Sequence, residues 1–234
     1  MGRLISLMLL MLTASPINAE VFLRFGVYTS DKPTEMVRKF RPVLNALEHQ
    51  LTTVLDEPVR IRLKVAASYE QGIEDLVSGK VDFARMGPAS YVISKQRNPE
   101  LQLLAMESKK GSRTFFGIIC VHEQSPLQTV GELKGRTFAF GDKHSTIGRY
   151  LSQHLLSAEG IRADDLAGYE YLDRHDRVGA AVGAGQFDAG SLKESTFRKL
   201  QKKGPFPGWR IISEPPVLFS DKGNPDHCTH TLYR

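Results

Sequence analysis

Apolar positions along this chain repeat with two periods that alternate, one of two residues and one of three to four. The run Val21 to Tyr28 and the run Arg60 to Ala66 have the spacing of strands, whereas Thr34 to Leu55 carries Met36, Phe40, Leu44, Leu47 and Leu51 along one helical stripe. Read this way throughout, the pattern predicts strands at Val21 to Tyr28, Arg60 to Ala66, Val81 to Met86, Leu101 to Glu107, Phe115 to Val121, Arg136 to Phe140, Tyr169 to Leu172, Phe187 to Leu192 and Trp209 to Ile212. Helices are predicted at Thr34 to Leu55, Tyr69 to Ser78, Ser90 to Lys95, Thr146 to Ala158, Arg177 to Ala184 and Ser195 to Lys202. Strands alternating with helices imply an α/β fold of parallel sheets covered by helices, with ligands taken at the carboxyl ends of the strands. Ser112-Arg113-Thr114 and Glu214-Pro215-Pro216 have the composition of crossings between two lobes. The expected division is residues 1–19 as a signal peptide, 20–112 as lobe 1, 113–213 as lobe 2, and 214–234 as a return segment with a disordered tail.

The leading segment changes the setting. Arg3 precedes the apolar run Leu4 to Leu12, and Ile17-Asn18-Ala19 has the form of a secretory cleavage site, so the mature chain is expected to begin at Glu20. That run is shorter than the ~20 residues a membrane-spanning helix needs, and no cysteine beside the cleavage site offers a lipid attachment point. The expectation is a periplasmic protein released by its signal and carrying no lipid anchor. At 41% hydrophobic and 24% charged, the composition is that of a chain with an ordinary core. Without residues 1–19, 30 cations face 26 acids, and they are interspersed rather than gathered into a nucleic-acid patch. Two cysteines, Cys120 and Cys228, are too few for a disulfide scaffold, and Cys120 lies inside an apolar strand where a buried thiol is expected. The terminal Asp226-His227-Cys228-Thr229-His230 cluster does not supply a closed metal site, and neither a metal nor a cofactor is expected.

The segment that points to chemistry is Gly141-Asp142-Lys143-His144-Ser145-Thr146-Ile147-Gly148, between a strand and a helix. Hydroxyls at such a turn stand beside the unpaired N–H groups of the first helical turn, where the helix dipole favours negative charge. The same residues also read as a plain N-cap. A hydrolase built on Ser145, His175 and Asp188 is a rival reading, but no Gly-x-Ser-x-Gly elbow surrounds Ser145 and no catalytic residue is assigned.

Taken in order, several motifs resemble the type II periplasmic solute-binding proteins of phosphonate, phosphate and phosphite ABC transporters. These are Phe25-Gly26-Val27-Tyr28 with Arg41-Pro42-Val43-Leu44; Ala67-Ser68-Tyr69; Leu76 to Ala84; and Gly87-Pro88-Ala89-Ser90-Tyr91-Val92. Asp142 to Gly148, Arg174-His175-Asp176 and Gly185 to Gly190 follow, and the similarity covers about residues 21 to 221. The resemblance implies a two-lobe fold, each lobe a mostly parallel sheet flanked by helices, that closes on a phosphorus oxyanion and delivers it to an inner-membrane permease or, alternatively, to a sensor kinase. It implies that Ser145, Thr146 and the amides up to Gly148 hold the oxyanion and that His175 adds a donor, with an N-cap histidine as the other role open to it. Tyr69 and Phe115 match positions that face the ligand from the other lobe and the crossover; the other role open to Tyr69 is an amphipathic residue at a helix start, and core packing accounts for Phe115 equally well. Ser90 and Tyr91 are placed on the cleft wall. Glu194 resembles the acid that meets a ligand ammonium in aminoalkylphosphonate binders, and it also reads as a helix-start charge, while Asp188 reads as structural.

Two departures stand out. Relatives often show Ser-Thr-Ser-Gly where this chain has Ser145-Thr146-Ile147-Gly148, one hydroxyl fewer. Family members also continue with further helices packed on lobe 1, so the chain is expected to be truncated at its C-terminus, monomeric, and marginal in lobe 1.

Overall fold

A computed structural model describes residues 20–108, 111, 113–203 and 208–213. The predicted signal peptide, the Glu214-Pro215-Pro216 crossing, Cys228 and the histidine tail lie outside the described residues.

Lobe 1 is built on three strands. β1 (Val21–Tyr28) is central, with β2 (Val59–Ala66) and β3 (Phe83–Arg85) parallel to it on either side. Its long crossover α1 (Pro33–Leu55) buries Met36, Phe40 and Leu44 against Phe25, Val27, Val59 and Ile61. α2 (Tyr69–Val77) starts at Ser68, whose hydroxyl accepts from the Gln71 amide at 3.1 Å, and α3 (Pro88–Arg97) starts with proline in its first turn.

Lobe 2 holds a mixed sheet in the order β6-β5-β7-β4-β8. Here β4 is Gly117–His122, β5 Thr137–Phe140, β6 Gly168–Tyr171, β7 Ala189–Lys193 and β8 Trp209–Ile211. β5 runs parallel to β6 and β7, whereas β4 is antiparallel to both β7 and β8. One face is covered by α5 (His175–Gly183) and α6 (Glu194–Lys203), which pack Val178, Val182 and Phe197 on Ile118 and Leu192. The other carries Val130, Leu133, Leu156 and Ile161 over Ile119, Val121 and Phe138. Cys120 is a free, fully buried thiol in β4, and burial pushes it up to about 12, as expected for an inert packing residue. Asp188 is also structural: its carboxylate accepts from the Thr137 amide at 2.8 Å and the Thr137 hydroxyl at 2.7 Å, tying the start of β7 to β5.

Two elements differ from the pattern-based expectation. Residues 101–108 form no strand. Their alternation is real, but Leu103, Leu104 and Met106 face solvent at 43%, 77% and 40% exposure, so no buried face pulls the segment into a ladder. The helix expected over Thr146 to Ala158 divides into a π-helical turn, Thr146–Leu151, and α4, Ser152–Ala158. In the wide turn the Ser145 carbonyl accepts from both the Arg149 and the Tyr150 amides.

Candidate functional site

The parallel strands of both sheets end on the same cleft. Tyr28 closes β1, Tyr69 opens the helix after β2, Arg85 ends β3, and Gly87 to Ser90 start α3. From lobe 2 come the Ser145 to Gly148 loop after β5, His175 after β6 and Lys193 at the end of β7. This is the crevice that parallel α/β sheets present at their carboxyl ends.

A relay of hydrogen bonds crosses it. The Gly87 amide donates to the Tyr28 oxygen at 2.5 Å, the Tyr28 and Ser90 hydroxyls lie 3.1 Å apart, and Ser90 donates across the cleft to the His144 carbonyl at 3.2 Å. Beside it, the Ala89 amide at the start of α3 donates to the Thr146 hydroxyl at 2.9 Å. Ser145 accepts from the Gly148 amide at 2.9 Å and lies within hydrogen-bonding range of the Tyr69 hydroxyl. Tyr69 and Tyr28 stack with ring centroids 3.8 Å apart. Burial raises both phenols, Tyr69 well above its usual value, so they stay protonated donors. Three amides, three hydroxyls and two phenols thus converge where the first turns of α3 and of the Thr146 helix meet.

The loop that presents Ser145 and Thr146 depends on glycine. A Cβ on Gly148 would lie 2.7 Å from the Gly141 Cα, and the Gly141 amide donates to the Gly148 carbonyl at 2.8 Å. Below it, Asp142 accepts from the His144 amide at 2.7 Å; burial raises this carboxyl, and His144 offsets the rise. The His144 imidazole also reaches Glu70 of lobe 1 at 3.1 Å.

His175 is 5% exposed, and its Nδ1 is buried without a hydrogen-bond partner among the described residues. Burial, reinforced by the Lys193 charge, pulls this imidazole down to about 3, so it is neutral near pH 7. Its backbone amide donates to the Ser30 carbonyl of lobe 1 at 3.2 Å, and Thr196 donates to Asp31 at 3.0 Å. A neutral imidazole nitrogen held at the seam has one hydrogen-bonding valence left to use.

The structure therefore brings Tyr69, Ser90, Ser145, Thr146, Gly148 and His175 to one cleft. Tyr91 lies in the first turn of α3, and Phe115 sits beneath the Lys193 ammonium, 5.6 Å from ring centroid to Nζ. Glu194 starts α6 and pairs with Arg198 at 3.3 Å along that helix. Sequence reading passed over Tyr28, Arg85 and Lys193. Each is the terminal residue of a parallel strand, and that position was the available signal. A surface depression lined by Glu123, Phe197, Trp209 and Arg210 lies elsewhere, since His122 pairs with Trp209 at the far end of β4 from the Gly117–Lys193 pair.

Comparison with known proteins agrees with this geometry. Residues 25–221 match the family described as ABC transporter, phosphonate, periplasmic substrate-binding protein. The chain is 23% identical over 169 residues to a probable ABC transporter phosphite binding protein of Prochlorococcus marinus, covering 69% of this chain and 56% of that one. It is 24% identical over 217 residues to the phosphonates-binding periplasmic protein of Escherichia coli, covering 88% of this chain and 62% of the other. It thus spans less than two thirds of either relative. In fold it is similar to the Prochlorococcus marinus protein PhnD1 solved with methylphosphonate, with a TM-score of 0.69 at 20% identity over 84% of this chain and 74% of that one. These neighbours are type II periplasmic binding proteins, and the two α/β lobes described above have that architecture. With the match running through both sheets and every strand end that lines the cleft, the chain belongs to the family of periplasmic substrate-binding proteins of phosphonate ABC transporters.

Proposed function

We propose that this protein captures a phosphorus oxyanion, a phosphonate, phosphate or phosphite, between its lobes in the periplasm and hands it to an ABC permease in the inner membrane. The observation that carries the reading is the convergence of Tyr28, Tyr69, Ser90, Ser145 and Thr146 on two opposed helix starts, beside a buried histidine nitrogen with no partner among the described residues. Amides and hydroxyls at helix starts suit a tetrahedral oxyanion, because they supply many donors with little net charge. Thr146 and Ser90 now bond across the cleft to the opposite lobe. An anion can enter only when those contacts part, and its oxygens take their place when the lobes shut again, which couples capture to domain movement. The fold similarity to a protein solved with methylphosphonate supports the same ligand class.

We read the site as one for capture, and the rival hydrolase grouping of Ser145, His175 and Asp188 is not assembled among the described residues. Ser145 accepts from Gly148, Asp188 is committed to Thr137 on the sheet, and neither partners His175. Titration calorimetry of the protein expressed with its leader and purified from the periplasm, against phosphate, phosphite, methylphosphonate and sulfate, tests the proposal. Binding of at least one phosphorus compound in preference to sulfate is expected, and silence towards all three phosphorus anions rejects it.

A further inference from the structure

The wall of the cleft next to the hydroxyl loop carries more positive charge than its carboxylates balance. Lys193 ends β7, in register with Gly117 of β4, and its ammonium lies over the Phe115 ring. It has no salt-bridge partner among the described residues. Arg85, at the end of β3 opposite, spends one N–H on Glu107 at 2.6 Å, and Lys39 shares that carboxylate at 3.3 Å. The remaining guanidinium hydrogens of Arg85 meet no acceptor among the described residues. Two cations therefore share one carboxylate, and a third, Lys193, faces them with none. Asp31, which with Glu107 acts against this positive charge, already accepts from Thr196, and burial raises its carboxyl above the ordinary value. Burial, followed by the Arg85 and Lys39 charges, pulls the Lys193 ammonium down to about 8, as expected of a cation short of negative partners.

Position makes this surplus useful. β7 neighbours β5, whose end carries Ser145 and Thr146, and adjacent strands run ~4.8 Å apart. A ligand whose phosphorus group sits on that loop would extend its substituent along the cleft to Lys193 and Arg85. Glu194, the residue whose charge would suit an ammonium, instead pairs with Arg198.

We infer that Lys193, supported by Arg85, forms a second anion subsite, so that the preferred ligand is a phosphorus oxyanion bearing a carboxylate on its substituent and aminoalkyl phosphonates are disfavoured. This inference rests on the oxyanion-binding function proposed above. Three ligands with the same two-carbon spacer isolate the terminal group: 3-phosphonopropionate, propylphosphonate and 2-aminoethylphosphonate, titrated calorimetrically into wild type, Lys193→Gln, Lys193→Arg and Lys193→Glu. A hydrogen-bonded charge pair supports an expected preference of about tenfold or more for 3-phosphonopropionate over propylphosphonate, with 2-aminoethylphosphonate weakest. The 3-phosphonopropionate to 2-aminoethylphosphonate affinity ratio should be kept by Lys193→Arg, should fall towards unity in Lys193→Gln, and should invert in Lys193→Glu. Melting curves without ligand identify any variant that fails to fold, and Lys193→Arg against wild type then carries the comparison with the three wild-type affinities. A wild type that binds all three alike, or prefers 2-aminoethylphosphonate, overturns the subsite while leaving oxyanion capture standing. An unchanged ratio in a folded Lys193→Gln does the same, as does failure of all three ligands in a wild type that binds phosphate, phosphite or methylphosphonate, whereas failure with those three simple anions as well rejects both readings.

Discussion

At the scale of single residues, the cleft concentrates groups that serve the fold and the ligand at once. Ser145 caps the turn through the Gly148 amide, and Thr146 accepts from the Ala89 amide across the lobes. Replacing both by alanine is therefore expected to cost about 1 kcal/mol of stability per lost cap, and in addition to abolish oxyanion binding. A double variant that melts a few degrees lower yet binds like wild type would take the loop out of the site. His175 sets a pH dependence. Its folded value near 3 lies below the ordinary histidine value of 6.5, so between these the unfolded chain holds more protons than the native one. Stability without ligand is then complete above pH 6.5 and declines as pH falls towards 3, by up to a few kcal/mol. Denaturant midpoints at pH 7, 5.5 and 4.5 should fall in that order, and His175→Gln should flatten the trend. How much of this was legible in the sequence follows from what each residue does. Ser145 and Thr146 could be singled out because hydroxyls at a strand-to-helix junction stand beside unpaired amides, but the same pair reads equally as an N-cap, and only the order of the surrounding motifs favoured a ligand. Arg85 and Lys193 were not, because a cation at a strand end looks like any solvated charge until the fold sets another strand end opposite it.

At the scale of elements, most of the α/β order was readable because long periodic segments carry it: β1 spans Val21–Tyr28 as expected, and α1 begins one residue earlier than predicted. The failures have local causes. Residues 101–108 alternate like a strand, but no buried face receives their apolar side chains. The π-helical turn at Thr146–Leu151 has the composition of an ordinary helix, so its widening leaves no mark in the residue pattern. That loop closes through Gly141 against Gly148, backbone on backbone. Gly148→Ala would thrust a methyl into the Gly141 Cα, and overpacking of this kind costs about 1–3 kcal/mol. Because the displaced atoms belong to the binding loop, affinity should fall together with melting temperature. Calorimetry of a folded Gly148→Ala protein checks this, and wild-type affinity would show that the loop tolerates a shift.

At the scale of the whole molecule, two sheets face one another with polar contacts at the seam: Ser30 to His175, Asp31 to Thr196, Ala89 to Thr146 and Glu70 to His144. Contacts of this polar kind suit an interface whose two halves move relative to one another. Saturation with the best ligand should reduce the radius of gyration in small-angle scattering, and unchanged dimensions with proven binding would count against closure as the response. The position of Trp209 bears on how such binding is followed. It is the only tryptophan in the chain, it is buried against Phe197, and its indole N–H donates to the Gly179 carbonyl at 2.9 Å. It stands at the opposite end of β4 from Lys193, roughly 17 Å along the strand. If the lobes move as rigid bodies on capture, the surroundings of this indole stay the same and its emission is expected to stay constant. A flat fluorescence titration would then be compatible with tight binding, while the same signal would follow the unfolding of lobe 2 faithfully. An optical reporter of capture has to be installed at the seam, on the Tyr28 and Tyr69 side of the cleft.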